Sequence, residues 1–110
     1  MKLKTLFVPL AAVLAVNAGT ALALDNKQAT DLMTKATCNA CHTIDKKGVG
    51  PAYKDVSAKY KGNAKAAEML ADKVRKGGMG VWGPIPMPPN PKEKIGDDDL
   101  KQLVAWILTL

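Results

Sequence analysis

The chain has 110 residues, 24% of them charged and 5% aromatic, with 16 Lys and Arg against 10 Asp and Glu for a net charge of +6. That length holds one small domain, and its apolar residues are mostly aliphatic, which excludes a large aromatic-packed core. The lysines are scattered and no nucleic-acid motif accompanies them, so the charge points to solubility or an acidic protein partner rather than to nucleic acid.

At the N-terminus Lys2 and Lys4 precede an apolar run, Leu6 to Val16, followed by Ala21-Leu22-Ala23. This order predicts a secretory signal peptide over residues 1–23, cleaved after Ala23. The apolar run is well short of the roughly 20 residues that span a bilayer, so no stable membrane insertion is expected. The mature protein is then a single domain, residues 24–110, and loss of Lys2 and Lys4 takes the charge from +6 to +4. Its aromatics are Tyr53, Tyr60, Trp82 and Trp106. A domain this small often needs a disulfide, a metal or a cofactor as a staple, and a bulky bound group would supply apolar volume that the side chains lack.

Ala29, Leu32, Met33 and Ala36 recur at helical spacing behind Asp25 or Asn26 as N-cap, and this helix is expected to run directly into the cysteines. Gly48, Gly50 and Pro51 break the pattern, and Pro51 suits the first position of a short helix reaching about Tyr60. Asn63 can cap a third helix with an apolar stripe of Ala67, Leu70, Ala71 and Val74, ended by Gly77-Gly78. The glycines and prolines between 77 and 96 forbid a regular element, and so long a loop in a small domain is usually functional. A last helix carries Leu100, Leu103, Val104, Ile107 and Leu108 on one face, with Asp97, Asp98 and Asp99 at its positive end. No stretch has strand periodicity. The fold class is all-α, three main helices plus a short one.

The only cysteines and the only histidine fall together in Cys38-Asn39-Ala40-Cys41-His42. A thioredoxin-like pair would open a helix within a βαβ unit, whereas this one follows a helix in a chain without strands. A structural zinc site wants four ligands, usually as two separated pairs, and the second pair is missing. A soft copper site using methionine is the remaining metal alternative. Cys-x-x-Cys-His uses every residue if it anchors haem: two thiols about one helical turn apart form thioethers with one porphyrin, and the adjacent imidazole reaches the iron. Export fits this chemistry, because c-type haem attachment in bacteria requires it.

With no second histidine, the sixth iron position falls to methionine, lysine, water or nothing. Met33 and Met69 lie on helical segments and Met79 sits among glycines in "GGMGV". Met87 lies in "GPIPMPPN", where prolines on both sides stiffen the backbone before ligation. That stiffness suits a weak thioether ligand and selects Met87, against the alternative of a polyproline-type linker or partner-binding segment.

"CNACH", "GVGPAYKDVSAKY", "GVWGPIPMPPN" and "LVAWILTL" resemble, in order and spacing over essentially the whole mature chain, the class I cytochromes c of the small bacterial c-551/c-552 type. The resemblance implies a cytochrome c fold wrapped around one covalent haem c, with Cys38 and Cys41 as attachment sites and His42 and Met87 as axial ligands. It gives Pro51 the part of accepting the His42 Nδ1 proton, Asn90 that of bonding the methionine sulfur or holding its loop, and Trp82 that of donating to a haem propionate. Lys73 stands where relatives often place an arginine beside that propionate, with Arg75 two residues later as the other candidate, and lysine lacks the guanidinium fork. Packing, solvation or loop capping compete for Trp82, Lys73 and Asn90. Met33 takes the place of a phenylalanine common in relatives.

A His/Met iron has no open site, which makes a non-enzymatic, monomeric periplasmic electron shuttle the expected function. Its partners would be redox donors and acceptors such as membrane complexes and a terminal reductase or oxidase, met around the haem edge by lysines such as Lys35, Lys46 or Lys47. The alternative is a haem peroxidase or gas sensor in which Met87 is displaced.

Overall fold

A computed structural model describes residues 24–110, so the expected signal peptide lies outside the described residues. Four helices follow in chain order: α1 (Asn26–Lys35), α2 (Tyr53–Tyr60), α3 (Ala66–Lys76) and α4 (Asp97–Ile107), with a 3₁₀ turn, Cys38–Ala40, after α1. Among the described residues there is no strand, only an isolated antiparallel pair between Gly78 and Met87.

Asp25, not Asn26, caps α1: its carboxylate accepts from Gln28 N while Gln28 returns a bond to the Asp25 amide, a complete capping box. Asn26 instead accepts the indole N–H of Trp106 at 3.1 Å, tying the first helix to the last. Ala29, Met33 and Ala36 are buried against Leu100, Leu103, Val104 and Ile107 in one core. Trp106 is buried with them although it lies outside the predicted stripe. Trp106→Phe should keep most of the packing and lose the bond to Asn26, lowering the unfolding free energy by about 1 kcal/mol; urea denaturation of the haem-loaded protein checks this.

Four local expectations are corrected. Helix α1 stops before the cysteines, because Thr37 adopts a left-handed conformation at φ 61° and turns the chain into the 3₁₀ segment. Pro51 precedes α2 rather than opening it; Ala52 is the N-cap, which leaves the Pro51 carbonyl outside the helix. Asn63 does not cap α3 directly. Its side chain accepts from Lys65 N at 2.9 Å, and Lys65 is the capping residue. On α3 the buried alanine is Ala66 rather than Ala67, while Leu70, Ala71 and Val74 pack partly buried against the core as the periodicity predicts.

Candidate haem-binding site

The segment after the cysteines folds back on itself. His42 N donates to Cys38 O at 2.9 Å, Gly50 N to Cys41 O at 2.8 Å and Tyr53 N to Thr43 O at 2.9 Å, which brings His42 against the start of α2. There its Nδ1 lies 2.8 Å from the Pro51 carbonyl. A carbonyl can only accept, so Nδ1 carries the proton and Nε2 keeps a free lone pair. The imidazole also stacks on Tyr53, with ring centroids 5.0 Å apart and planes 16° from parallel. Gly50 leaves room for this ring, since a Cβ there would press on His42 Cε1 and Nδ1. Pro51 therefore occupies the orienting position expected of it, and Tyr53 adds a second restraint that the sequence did not reveal.

Met87 is positioned by different means. Gly78 and Met87 exchange both backbone bonds, at 3.0 and 2.8 Å, which fixes the methionine's backbone beside the end of α3. Gly77, at φ 69°, makes the turn that allows this approach; any Cβ there would collide with the Met87 carbonyl. Beyond the methionine, Asn90 is buried, with its backbone N–H donating to Val74 O at 3.0 Å and its side-chain amide donating to Val74 O at 3.3 Å and Pro88 O at 3.1 Å. Of the two parts suggested for Asn90, these bonds support holding the loop: the amide hydrogens already face carbonyls.

His42, Cys38, Cys41 and Met87 all line one cavity of about 390 Å³, a size within the ~300–1,000 Å³ usual for cofactor sites. Leu70, Val74, Leu103, Val104 and Ile107 make its walls apolar. Trp82 and Lys73 line it as well. The Lys59 ammonium sits 5.4 Å over the Trp82 ring, and among the described residues no protein group accepts the Trp82 indole N–H. Lys73 reaches across Gly78, where an added Cβ would lie 2.7 Å from its Nζ, and it has no ion-pair partner among the described residues. Arg75 is otherwise engaged: it bonds the carbonyls of Asn90 and Ile95 and the carboxylate of Asp97. The Arg75 bond to Asp97, with a second from Lys92, holds the Asp97 carboxyl below its ordinary range.

The competing cysteine chemistries find little support in this geometry. Burial pushes the Cys38 thiol up, with the Tyr53 hydroxyl as its hydrogen-bond neighbour, whereas a redox-active thiol needs a lowered pKa. Among the described residues no three His, Cys, Asp or Glu side chains converge as a metal would require. Two thiols, an oriented imidazole and a thioether on the wall of one apolar cavity suit a porphyrin iron. In line with that geometry, residues 18–110 match the cytochrome c family.

The chain belongs to the cytochrome c family. It is similar to a cytochrome c-551 of Stutzerimonas stutzeri, 42% identical over 98% of this chain and 99% of the relative. It is 52% identical to a cytochrome c-552 of Nitrosomonas europaea over 73% of this chain and 76% of the relative. The crystal structure of wild-type Nitrosomonas europaea cytochrome c552 superposes with a TM-score of 0.69, covering 74% of this chain and 98% of that one. This cytochrome c is thus of the c-551/c-552 type, a monohaem electron carrier with covalently held haem c.

Tyr53 escaped sequence reasoning, and Arg75 entered it only as an alternative to Lys73 at the propionate. Tyr53 sits two positions after Pro51 in a stretch read only as the start of a helix, and its partners, Cys38 and His42, are set by the fold-back of the segment between them. Arg75 shares its helix with other cations, and only the path of the chain from Asn90 to Asp97 shows that it is the one turned inward.

Proposed function

We propose that this cytochrome is a soluble periplasmic one-electron shuttle in which Cys38 and Cys41 would hold the haem through thioethers and His42 and Met87 would serve as its iron ligands. When bound, the haem supplies exchange of a single electron between ferric and ferrous iron. Pro51 holds the proton on His42 Nδ1, which leaves Nε2 as the ligand atom and makes the imidazole a stronger donor. Tyr53 limits rotation of that ring by stacking. The pairing of Met87 with Gly78 orders the weak thioether ligand before it meets iron, so little entropy is lost on ligation. A thioether ligand and an apolar lining both favour the less charged ferrous state and raise the potential. Trp82 and Lys73, which line the same cavity, would serve a haem propionate, the first by its indole N–H and the second by charge.

The observation that carries this reading is that the oriented His42 and the backbone-pinned Met87 line the same apolar cavity as both cysteines. Lys35, Lys46 and Lys47 are exposed and available to an acidic redox partner, such as a membrane complex on the donor side and a terminal reductase or oxidase on the other. Association of this kind is transient and weakens with salt. Potentiometry of the haem-loaded protein tests the carrier function: a reversible one-electron transition, with no consumption of hydrogen peroxide by the ferric protein, is expected. Rapid peroxide turnover would instead favour the peroxidase or sensor reading with a displaced Met87. Removal of residues 1–23 should abolish haem attachment in a bacterial host, and attachment that persists would contradict export.

A further inference from the structure

We propose that Arg75 is a positioning residue for the Met87 thioether: its guanidinium fastens the stretch that follows Met87 and so limits how often the sulfur leaves the iron. The proposal rests on Met87 as the axial ligand. From Met87 the chain runs through Pro88, Pro89 and Asn90 to the start of α4, and any withdrawal of the sulfur that carries this stretch away from α3 strains the bonds that hold it. Arg75 spans this stretch. Nη1 donates to Asn90 O at 3.2 Å and to Ile95 O at 2.7 Å, and Nη2 donates to Asp97 Oδ1 at 2.7 Å.

The arrangement differs from the surface ion pairs of the protein. The Arg75 side chain is 19% exposed, whereas the Lys27 and Lys76 side chains in their pairs are 86% and 75% exposed. Ile95 is buried and Asp97 belongs to α4, so two of the bonds anchor the guanidinium to the core-facing frame while the third grips Asn90. Asn90 in turn bonds Pro88 O, one residue from the ligand. When the loop lifts, the fixed guanidinium cannot follow it, and a charge-assisted bond to Asn90 O is lost without replacement. Lysine at this position would keep the charge but could not serve carbonyls and carboxylate together from a planar fork. Lys73, the nearby cation on the same helix, is turned to Gly78 instead.

The test uses the ferric haem-loaded protein with imidazole as the probe, because imidazole binds iron only after the thioether leaves. Arg75→Met should raise the apparent imidazole affinity roughly ten- to a hundredfold, the scale set by losing a hydrogen bond from a charged donor. Its far-red sulfur-to-iron absorption should disappear at lower urea than the helical far-UV signal. Arg75→Lys should fall between, and Asp97→Asn, which keeps an acceptor for Nη2, should stay within about twofold of the unaltered protein. The proposal is overturned if Arg75→Met leaves imidazole affinity within about twofold of the unaltered protein, or if the far-red band and the helical signal shift together, as for a residue that merely supports the fold. Should Arg75→Met fail to fold, Arg75→Lys is judged by the same two criteria. If the unaltered protein lacks the far-red band, the Met87 assignment fails and this proposal with it; a normal band with unchanged imidazole affinity overturns this proposal alone.

Discussion

Prepared without haem, the protein is expected to lose its cooperative fold. The cavity of about 390 Å³ is walled by the same side chains that pack the helices, namely Leu100, Leu103, Val104 and Ile107 from α4 and Val74 from α3. Without haem these side chains face a cleft open to water, and apolar surface that the cofactor would cover is left exposed. A domain of this size has a total stability of only roughly 4–13 kcal/mol, at ~0.05–0.15 kcal/mol per residue. The apoprotein should therefore show weak helical circular dichroism and no sharp unfolding transition. A Cys38→Ala, Cys41→Ala chain freed of haem makes the comparison without residual covalent attachment. Native helix content with a cooperative melt in that chain would mean the helices pack without the cofactor, and the cavity would need another explanation.

Met87→Ala should keep the covalent haem and lose the far-red band. With the thioether gone, water or an added ligand reaches the iron, the ferrous state loses its favoured partner, and the midpoint potential falls by more than ~60 mV, a tenfold change in a one-electron equilibrium. The fold should suffer much less, because Met87 is held through its backbone to Gly78 and its side chain is only partly buried. Spectroelectrochemistry beside thermal unfolding of the same variant separates the two effects. An unchanged spectrum would move the ligand to another residue, Met79 being the nearest alternative in the loop, although it is 63% exposed.

The features most legible in the sequence were those determined by neighbours along the chain. Helical periodicity located the buried faces of α1 and α4, and clustered glycines and prolines marked the loop before α4. The proposed haem ligands are legible because cysteines and histidine lie within five positions and because prolines frame Met87. What stayed hidden depends on contacts between distant segments. Trp106 meets Asn26 from the far end of the chain, so Asn26 looked like a cap and Trp106 like a residue off the stripe. Ala66 and Ala67 are equivalent by propensity, and only the tilt of α3 on the core decides which is buried. The fixed φ of Pro51 suits a first helical position, but Ala52 caps α2 instead, and the carbonyl that the resemblance assigns to His42 stays outside the helix. By resemblance Arg75 is an alternative to Lys73 at a propionate, whereas its guanidinium bonds the carbonyls of Asn90 and Ile95, which only the path of the loop brings to it.

The central claim is a covalent haem iron held by His42 and Met87, and the optical spectrum of the native haem-loaded protein tests it most directly. After acid-acetone extraction the haem should stay with the protein, and the ferric form at neutral pH should show the weak far-red sulfur-to-iron band that vanishes on reduction. Haem released by the acid, or a ferric spectrum without that band, would contradict the account.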